Sequence, residues 1–219
     1  MWWLAIPVVL LGKIIYDAVS EDEVPQPPIE KKRRKSTLEL NLERLRVQLY
    51  SHPRYKVAIL GQPGAGKSSL LRKMTKDKVS PLPIIGVETD ATNWANDTGC
   101  NLLSTFDNYV FADVPGYDTL SHPVHVFLSF FPFNRFDAFV FVVHDKLHVS
   151  DEKIFRLMSQ CNKHIVVVRS FSDGVATHQR HLIENDIRKV LDLQRSTPVL
   201  FASNRTGEGV DNVFNSIRH

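Results

Sequence analysis

The run Gly61-Gln62-Pro63-Gly64-Ala65-Gly66-Lys67-Ser68 has the spacing G-x-x-x-x-G-K-S. Glycines at Gly61, Gly64 and Gly66 let the main chain turn and aim its N–H groups inward. Together with a helix N-terminus, those donors make an anion site. Lys67 is expected to carry its charge to the outer phosphates of a nucleoside triphosphate, and the Ser68 hydroxyl to ligate Mg²⁺. Gln62, Pro63, Ala65 and Ser69 complete the stretch expected to line the phosphates. The context is right: the apolar Val57-Ala58-Ile59-Leu60 precedes the loop and Leu70-Leu71 follows it, reading as strand, loop and helix. A chance glycine-rich turn would lack that frame.

A second loop, Asp113-Val114-Pro115-Gly116, directly follows the apolar stretch Tyr109 to Ala112. A carboxylate at a strand end beside a phosphate loop can hold Mg²⁺ through water. The glycine lets a backbone N–H meet the γ-phosphate, so the loop senses whether that phosphate is there. Alone this is a weak turn signal; one strand pair after a phosphate loop it is a strong one.

These loops need a rigid frame. Val57–Leu60, Phe139–Val143, Ile165–Val168 and Val199–Ala202 are continuous β-rich apolar runs, as expected of strands buried on both faces. Leu102–Phe106 and Tyr109–Ala112 read as a strand pair turning at Asp107-Asn108. Helices are expected over Lys67–Thr75, Asp151–Gln160, Ala176–Leu193 and Gly209–Arg218. The fold class is therefore α/β: three layers, a mostly parallel sheet with helices on both faces, preceded by an N-terminal hydrophobic helix. Residues 54–219 form the nucleotide domain. Residues 37–53 form an amphipathic helix, with Leu38, Leu42, Leu45 and Leu49 on one face and Ser36 and Glu39 as a capping box. It is expected to pack on the domain that follows; a coiled-coil seam between two chains is the alternative.

On Gly61–Ser68, Asp113–Gly116 and the strand–helix alternation, the chain from Tyr55 onward resembles the P-loop GTPase superfamily. Gly86-Val87-Glu88-Thr89, the D-x-P-G loop and the Val168-Arg169 strand end are most similar to the immunity-related (interferon-inducible) GTPases and their bacterial relatives. The resemblance implies GTP or GDP with Mg²⁺ as ligands, hydrolysis of GTP, membrane association and self-assembly. It implies a first-switch threonine on Mg²⁺, for which Thr89 is the first candidate and Thr92 the second. Lys67 and Thr89 are thus the expected catalytic pair, and Ser68, Thr89 and Asp113 the metal set.

The family's base-reading loop usually runs Asn or Thr, Lys, any residue, Asp. Here the stretch is Ser170-Phe171-Ser172-Asp173. Asp173 can accept two N–H groups from one edge of guanine, and Phe171 can cover the purine face by stacking. Ala202-Ser203-Asn204 resembles the last family loop, whose backbone N–H approaches the guanine oxygen. Arg205 either covers the base opposite Phe171 or is solvated. Hydrolysis needs a group that orients water. Tyr117 stands where some relatives carry Gln and its phenol is a poor base; His122 and His125 are nearby but read first as surface groups, and Arg135 is a weak candidate for a finger. Slow turnover is expected. A scaffold that binds without turnover is the first rival reading. A P-loop ATPase or kinase is the second: Phe171 leaves it open, while Asp113–Gly116 and Asp173 oppose it. Phe127, Phe130, Phe131, Phe133 and Phe136 read first as core aromatics and second as a contact patch.

The 219 residues carry a formal net charge of only +3, too mild to imply nucleic acid as a partner. Two cysteines, Cys100 and Cys161, form no metal or redox spacing and fit a reducing compartment. Trp2 to Tyr16 is almost wholly apolar. As residues 1–19 it is expected to be a membrane anchor, with a docked helix and a cleaved leader as alternatives. Residues 20–36 form a Pro-rich linker ending in the basic run Lys31–Lys35, either a solvated tether or a lipid-attracted segment. Basic residues after the apolar stretch put the nucleotide domain in the cytoplasm. A homodimer through the nucleotide face is the remaining partner expectation.

Overall fold

The computed structural model describes residues 33–86 and 92–218. The apolar segment 1–19, most of the linker and Thr89 lie outside the described residues. The elements run α1 (Thr37–Ser51), β1 (Tyr55–Leu60), α2 (Lys67–Met74), β2 (Ser104–Phe106), β3 (Tyr109–Asp113), α3 (Val124–Phe130), β4 (Ala138–Val143), α4 (Val149–Gln160), β5 (His164–Arg169), α5 (Thr177–Val190), β6 (Val199–Phe201) and α6 (Val210–Ile217).

One six-stranded sheet has the order β2-β3-β1-β4-β5-β6. Every pair is parallel except the β2–β3 hairpin. The hairpin turns at Asp107, whose φ of 50° is left-handed, a conformation aspartate tolerates better than most residues. Continuous apolar strands still obey the period of two. Ala58, Leu60, Phe139, Phe141 and Val167 face one core; Val57, Ile59, Val140, Val142, Val166 and Val168 face the other. The second core is closed by Leu70 and Leu71 of α2 and Val213 and Ile217 of α6. This is the doubly covered sheet that the strand composition predicts.

α1 begins at the expected capping box: the Ser36 N–H donates to Glu39 Oε2 at 2.8 Å, and the Glu39 N–H to Ser36 Oγ at 3.3 Å. Leu38, Leu42, Leu45 and Leu49 are all buried in the first core, beside Phe127 and Trp94. The amphipathic helix therefore spends its apolar face on its own domain. Four of the five aromatics of the phenylalanine cluster are buried there: Phe127, Phe131, Phe133 and Phe136. Phe131 and Phe136 stack at 5.4 Å and Phe131 meets Phe133 edge-on at 4.7 Å. The core reading of that cluster holds for these four; Phe130, after which α3 ends, is partly buried against them.

Candidate nucleotide site

The phosphate loop sits where β1, β3 and β4 end side by side. Register brings Ile59 of β1 opposite Asp113, the last residue of β3. Gly61 has φ of 151°, and a Cβ there would stand 2.2 Å from the Val142 carbonyl oxygen of β4. Only glycine passes so close to the neighbouring strand. Gly64 and Gly66 have φ of 74° and 87°, and α2 starts at the next residue. The loop curls so that Lys67, almost fully buried, donates to the carbonyls of Gly61 at 3.0 Å and Gln62 at 2.9 Å. Its ammonium thus spans the loop it belongs to.

Beside it lies a compact oxygen cluster. Ser68 Oγ donates to Asp113 Oδ2 at 2.6 Å, and Thr92 Oγ1 donates to the same oxygen at 3.2 Å. The two hydroxyls are 3.4 Å apart. Asp113 is buried, and Oδ1 has no hydrogen-bond partner among the described residues. Burial raises the Asp113 carboxyl above its ordinary range, while the Ser68 hydroxyl, Lys67 and Thr92 pull it back. A buried carboxylate with one uncommitted oxygen beside two hydroxyls is a hard-oxygen donor set that fits Mg²⁺. Thr92, the second candidate by sequence, is the threonine that the described residues bring to this cluster; Thr89 lies outside them.

Gly116 closes the loop from the other side. A Cβ on it would stand 2.4 Å from the backbone nitrogen of Pro63, so the Asp113–Gly116 loop touches the phosphate loop through bare backbone. Together with Ile84, Ile85, Gly86 and Phe171, these residues line a cavity of about 310 Å³.

Tyr117 does not face that cavity. It is wholly buried, and its hydroxyl donates to Asp151 Oδ1 at 2.6 Å. Burial and the neighbouring Asp151 raise its pKa far above the usual phenol range. Gln62 of the phosphate loop donates to the same Asp151 oxygen at 3.0 Å and to Ser150 Oγ at 2.9 Å. Asp151 thereby ties the phosphate loop, the segment after Gly116 and the start of α4, a role that its place in sequence did not signal. His122, read first as a surface group, is instead fully buried; its Nε2 accepts the Trp94 N–H at 3.1 Å. The apolar neighbours of the loop, Val124, Val126 and Phe127, were the available sign that this segment turns inward.

The base end is put together differently. Phe171 occupies the expected lysine position in a left-handed conformation (φ 53°), half exposed, with its ring 4.4 Å from His144. Asp173 is engaged on both oxygens. Ser203 Oγ donates to Oδ1 at 2.6 Å, and Arg205 Nε donates to Oδ2 at 2.7 Å. The Ser203 hydroxyl and then Arg205 hold this carboxyl below the usual range. Arg205, with its side chain largely exposed, pairs with the Asp173 carboxylate. Asn204 contributes through its side chain, donating to the Gly66 carbonyl at 3.0 Å, which stitches the base end to the phosphate loop.

The sequence pattern of the 50S ribosome-binding GTPase family matches residues 56–170, just over half of the chain. The chain belongs to that P-loop GTPase family. It is 25% identical over 177 residues to GTPase Der of Lachnospira eligens, covering 76% of this chain and 39% of that protein. It is 23% identical to a probable GTP-binding protein EngB of Mycoplasmopsis pulmonis, covering 75% of this chain and 88% of that one. The chain thus spans about two fifths of the length of the Der protein it matches. A crystal structure of a probable GTP-binding protein engB shares the fold, with a TM-score of 0.51 at 17% identity, covering 74% of this chain and 96% of that one. These relatives support the superfamily and do not single out the immunity-related branch. Among the described residues no helix is long and apolar enough to cross a membrane; Trp2 to Tyr16 lies outside them.

Proposed function

We propose that this P-loop GTPase binds GTP with Mg²⁺, hydrolyses it slowly to GDP and changes its loop conformation with the γ-phosphate. The observation that carries the reading is the Ser68–Thr92–Asp113 oxygen cluster beside the Lys67 ammonium. Phosphate-loop N–H groups and Lys67 bind the triphosphate oxygens. Ser68, Thr92 and Asp113 would hold Mg²⁺, with Thr89 the first candidate by sequence in the place of Thr92; the ion would supply positive charge against the phosphate oxygens. Gly116 offers its N–H to the γ-phosphate, so loss of that phosphate releases the second switch. Phe171 covers the base, Asp173 reads its edge, and the Asn204 backbone N–H approaches the guanine oxygen. Gln62, Pro63, Gly64, Ala65, Ser69 and Ser203 complete the cradle.

Burial of Tyr117 favours slow turnover, and it also sustains a second reading: a nucleotide-binding scaffold without hydrolysis. The Gly86-Val87-Glu88-Thr89 segment keeps the immunity-related branch as the finer reading. An apolar Trp2–Tyr16 segment followed by basic residues supports membrane attachment with the nucleotide domain in the cytoplasm. Pairing of copies through the nucleotide face belongs to the same reading.

The test is a titration of the full chain with fluorescent GDP and Mg²⁺, competed by GTP, GDP and ATP, followed by timed phosphate release. Displacement by guanine nucleotides alone, with slow release, is expected. Equal competition by ATP, or no binding, overturns the guanine assignment; binding with no release leaves the scaffold.

A further inference from the structure

The loop that carries Thr92 has no secondary structure between residues 92 and 103, yet it is held at two kinds of anchor. Trp94 is buried in the first core next to the leucines of α1. Its peptide is gripped on both sides. The Trp94 N–H donates to His122 Nε2 at 3.1 Å, from the segment after the second switch. The Trp94 carbonyl accepts from Asn41 Nδ2 of α1 at 2.7 Å. The same Asn41 amide also donates to the Asp97 carbonyl at 2.8 Å. One turn on, Arg44 donates to the Cys100 carbonyl. Asn41 is wholly buried, an unusual place for an amide in a helix unless its donors are needed.

α1 lies outside the family match, which begins at residue 56. Its polar contacts nevertheless end two residues from the hydroxyl that meets Asp113. We propose that α1 is a working part of the nucleotide switch: Asn41 and Arg44 are positioning residues that fix the Trp94–Cys100 loop and thereby hold Thr92 at the Mg²⁺ cluster. This rests on reading Ser68, Thr92 and Asp113 as the metal site. The coupling runs both ways, as any linkage between two sites must. The Asn41 and Arg44 bonds to the loop raise metal affinity, and metal binding tightens those bonds.

The experiment uses the full chain and two readouts. The first is the Mg²⁺ concentration that half-retains bound fluorescent GTP. The second is hydrogen exchange of the 94–100 amides in metal-free, nucleotide-free protein. Asn41→Asp replaces two donors by acceptors facing carbonyls. It is expected to raise the Mg²⁺ midpoint about tenfold and speed exchange of the loop, with metal-free GDP affinity unchanged. Leu49→Ala loosens the same helix without removing a bond to the loop, and serves as the stability control; its midpoint should stay within about twofold. Arg44→Gln is the gentler variant, expected to shift the midpoint about threefold and to speed exchange near Cys100 even if Asn41→Asp does not fold. Faster exchange with an unmoved Mg²⁺ midpoint, or an equal shift in Leu49→Ala, overturns the proposal. A wild-type chain whose nucleotide binding ignores Mg²⁺ overturns the metal-site reading instead.

Discussion

The phosphate end and the base end of the site lie on the same sheet edge but are built on different terms. At the phosphate end the backbone itself does the positioning. Gly61 and Gly116 approach neighbouring backbone at 2.2 and 2.4 Å measured to the Cβ each lacks, and Lys67 bonds back to its own loop. Neither glycine leaves room for a side chain. At the base end the work is done by side chains: Phe171 in place of a lysine, Arg205 on Asp173, Asn204 reaching to Gly66. The phosphate-loop end is thus fixed by backbone approaches that admit only glycine at Gly61 and Gly116, while the Phe171–Asp173 end is held by side-chain contacts.

Three substitutions probe that contrast. The largest effect is expected for Lys67→Ala. It removes a charged donor worth roughly 1.5–3 kcal/mol, so GTP binding by fluorescence titration should weaken about ten- to hundredfold, equally for any base. A selective loss for guanine would break the division between the two ends.

Next comes Asp113→Asn. Burial raises this carboxyl, so the folded protein holds the proton more tightly than the unfolded chain does. The sign follows: stability is higher below the ordinary carboxylate value and falls as pH rises through the raised one, leaving a cost at neutral pH. The amide carries no such cost. The nucleotide-free variant should therefore melt higher, about 2–4 °C for each 1 kcal/mol relieved, while the Mg²⁺ dependence of nucleotide binding collapses. A lower melting temperature would show that the ionised carboxylate is structural instead.

The smallest effect is expected for Arg205→Ala. An exposed pair is weak, so freeing Asp173 should tighten GDP by no more than about fivefold; weaker binding would mean that Arg205 moves onto the base. The pH signature is sharper. The Ser203 hydroxyl and Arg205 depress the Asp173 carboxyl, so its contribution is full above the ordinary value and fades only as pH falls through the depressed one. Without Arg205 the acid limb of the unfolding curve should begin at a higher pH.

The same contrast explains what could be read from sequence. The sheet, its two cores and the phosphate loop are legible because each rests on local pattern: continuous β-branched runs, glycines at fixed offsets, a carboxylate at a strand end. Helix boundaries differ by only a few residues, as where α4 begins at Val149 rather than Asp151 and α5 ends at Val190 rather than Leu193. What sequence does not reveal is long-range polar pairing. Tyr117 to Asp151 and His122 to Trp94 join residues 34 and 28 positions apart, and Arg205 finds Asp173 across 32. No periodicity marks such partners, because each depends on how loops fold over the sheet and not on the run they sit in. Asn41 is the clearest case: an amide on the buried face of a leucine helix looks like a flaw until Trp94 and Asp97 are placed beside it.

The sheet also ends in two very short strands, β2 and β6, of three residues each. An open strand edge is a template on which another chain can add, and short edges blunt it. Crowding copies of this protein together therefore offers little purchase for a continuous sheet running from one molecule to the next. Contact between copies is thereby left to helices and loops and not to a shared sheet.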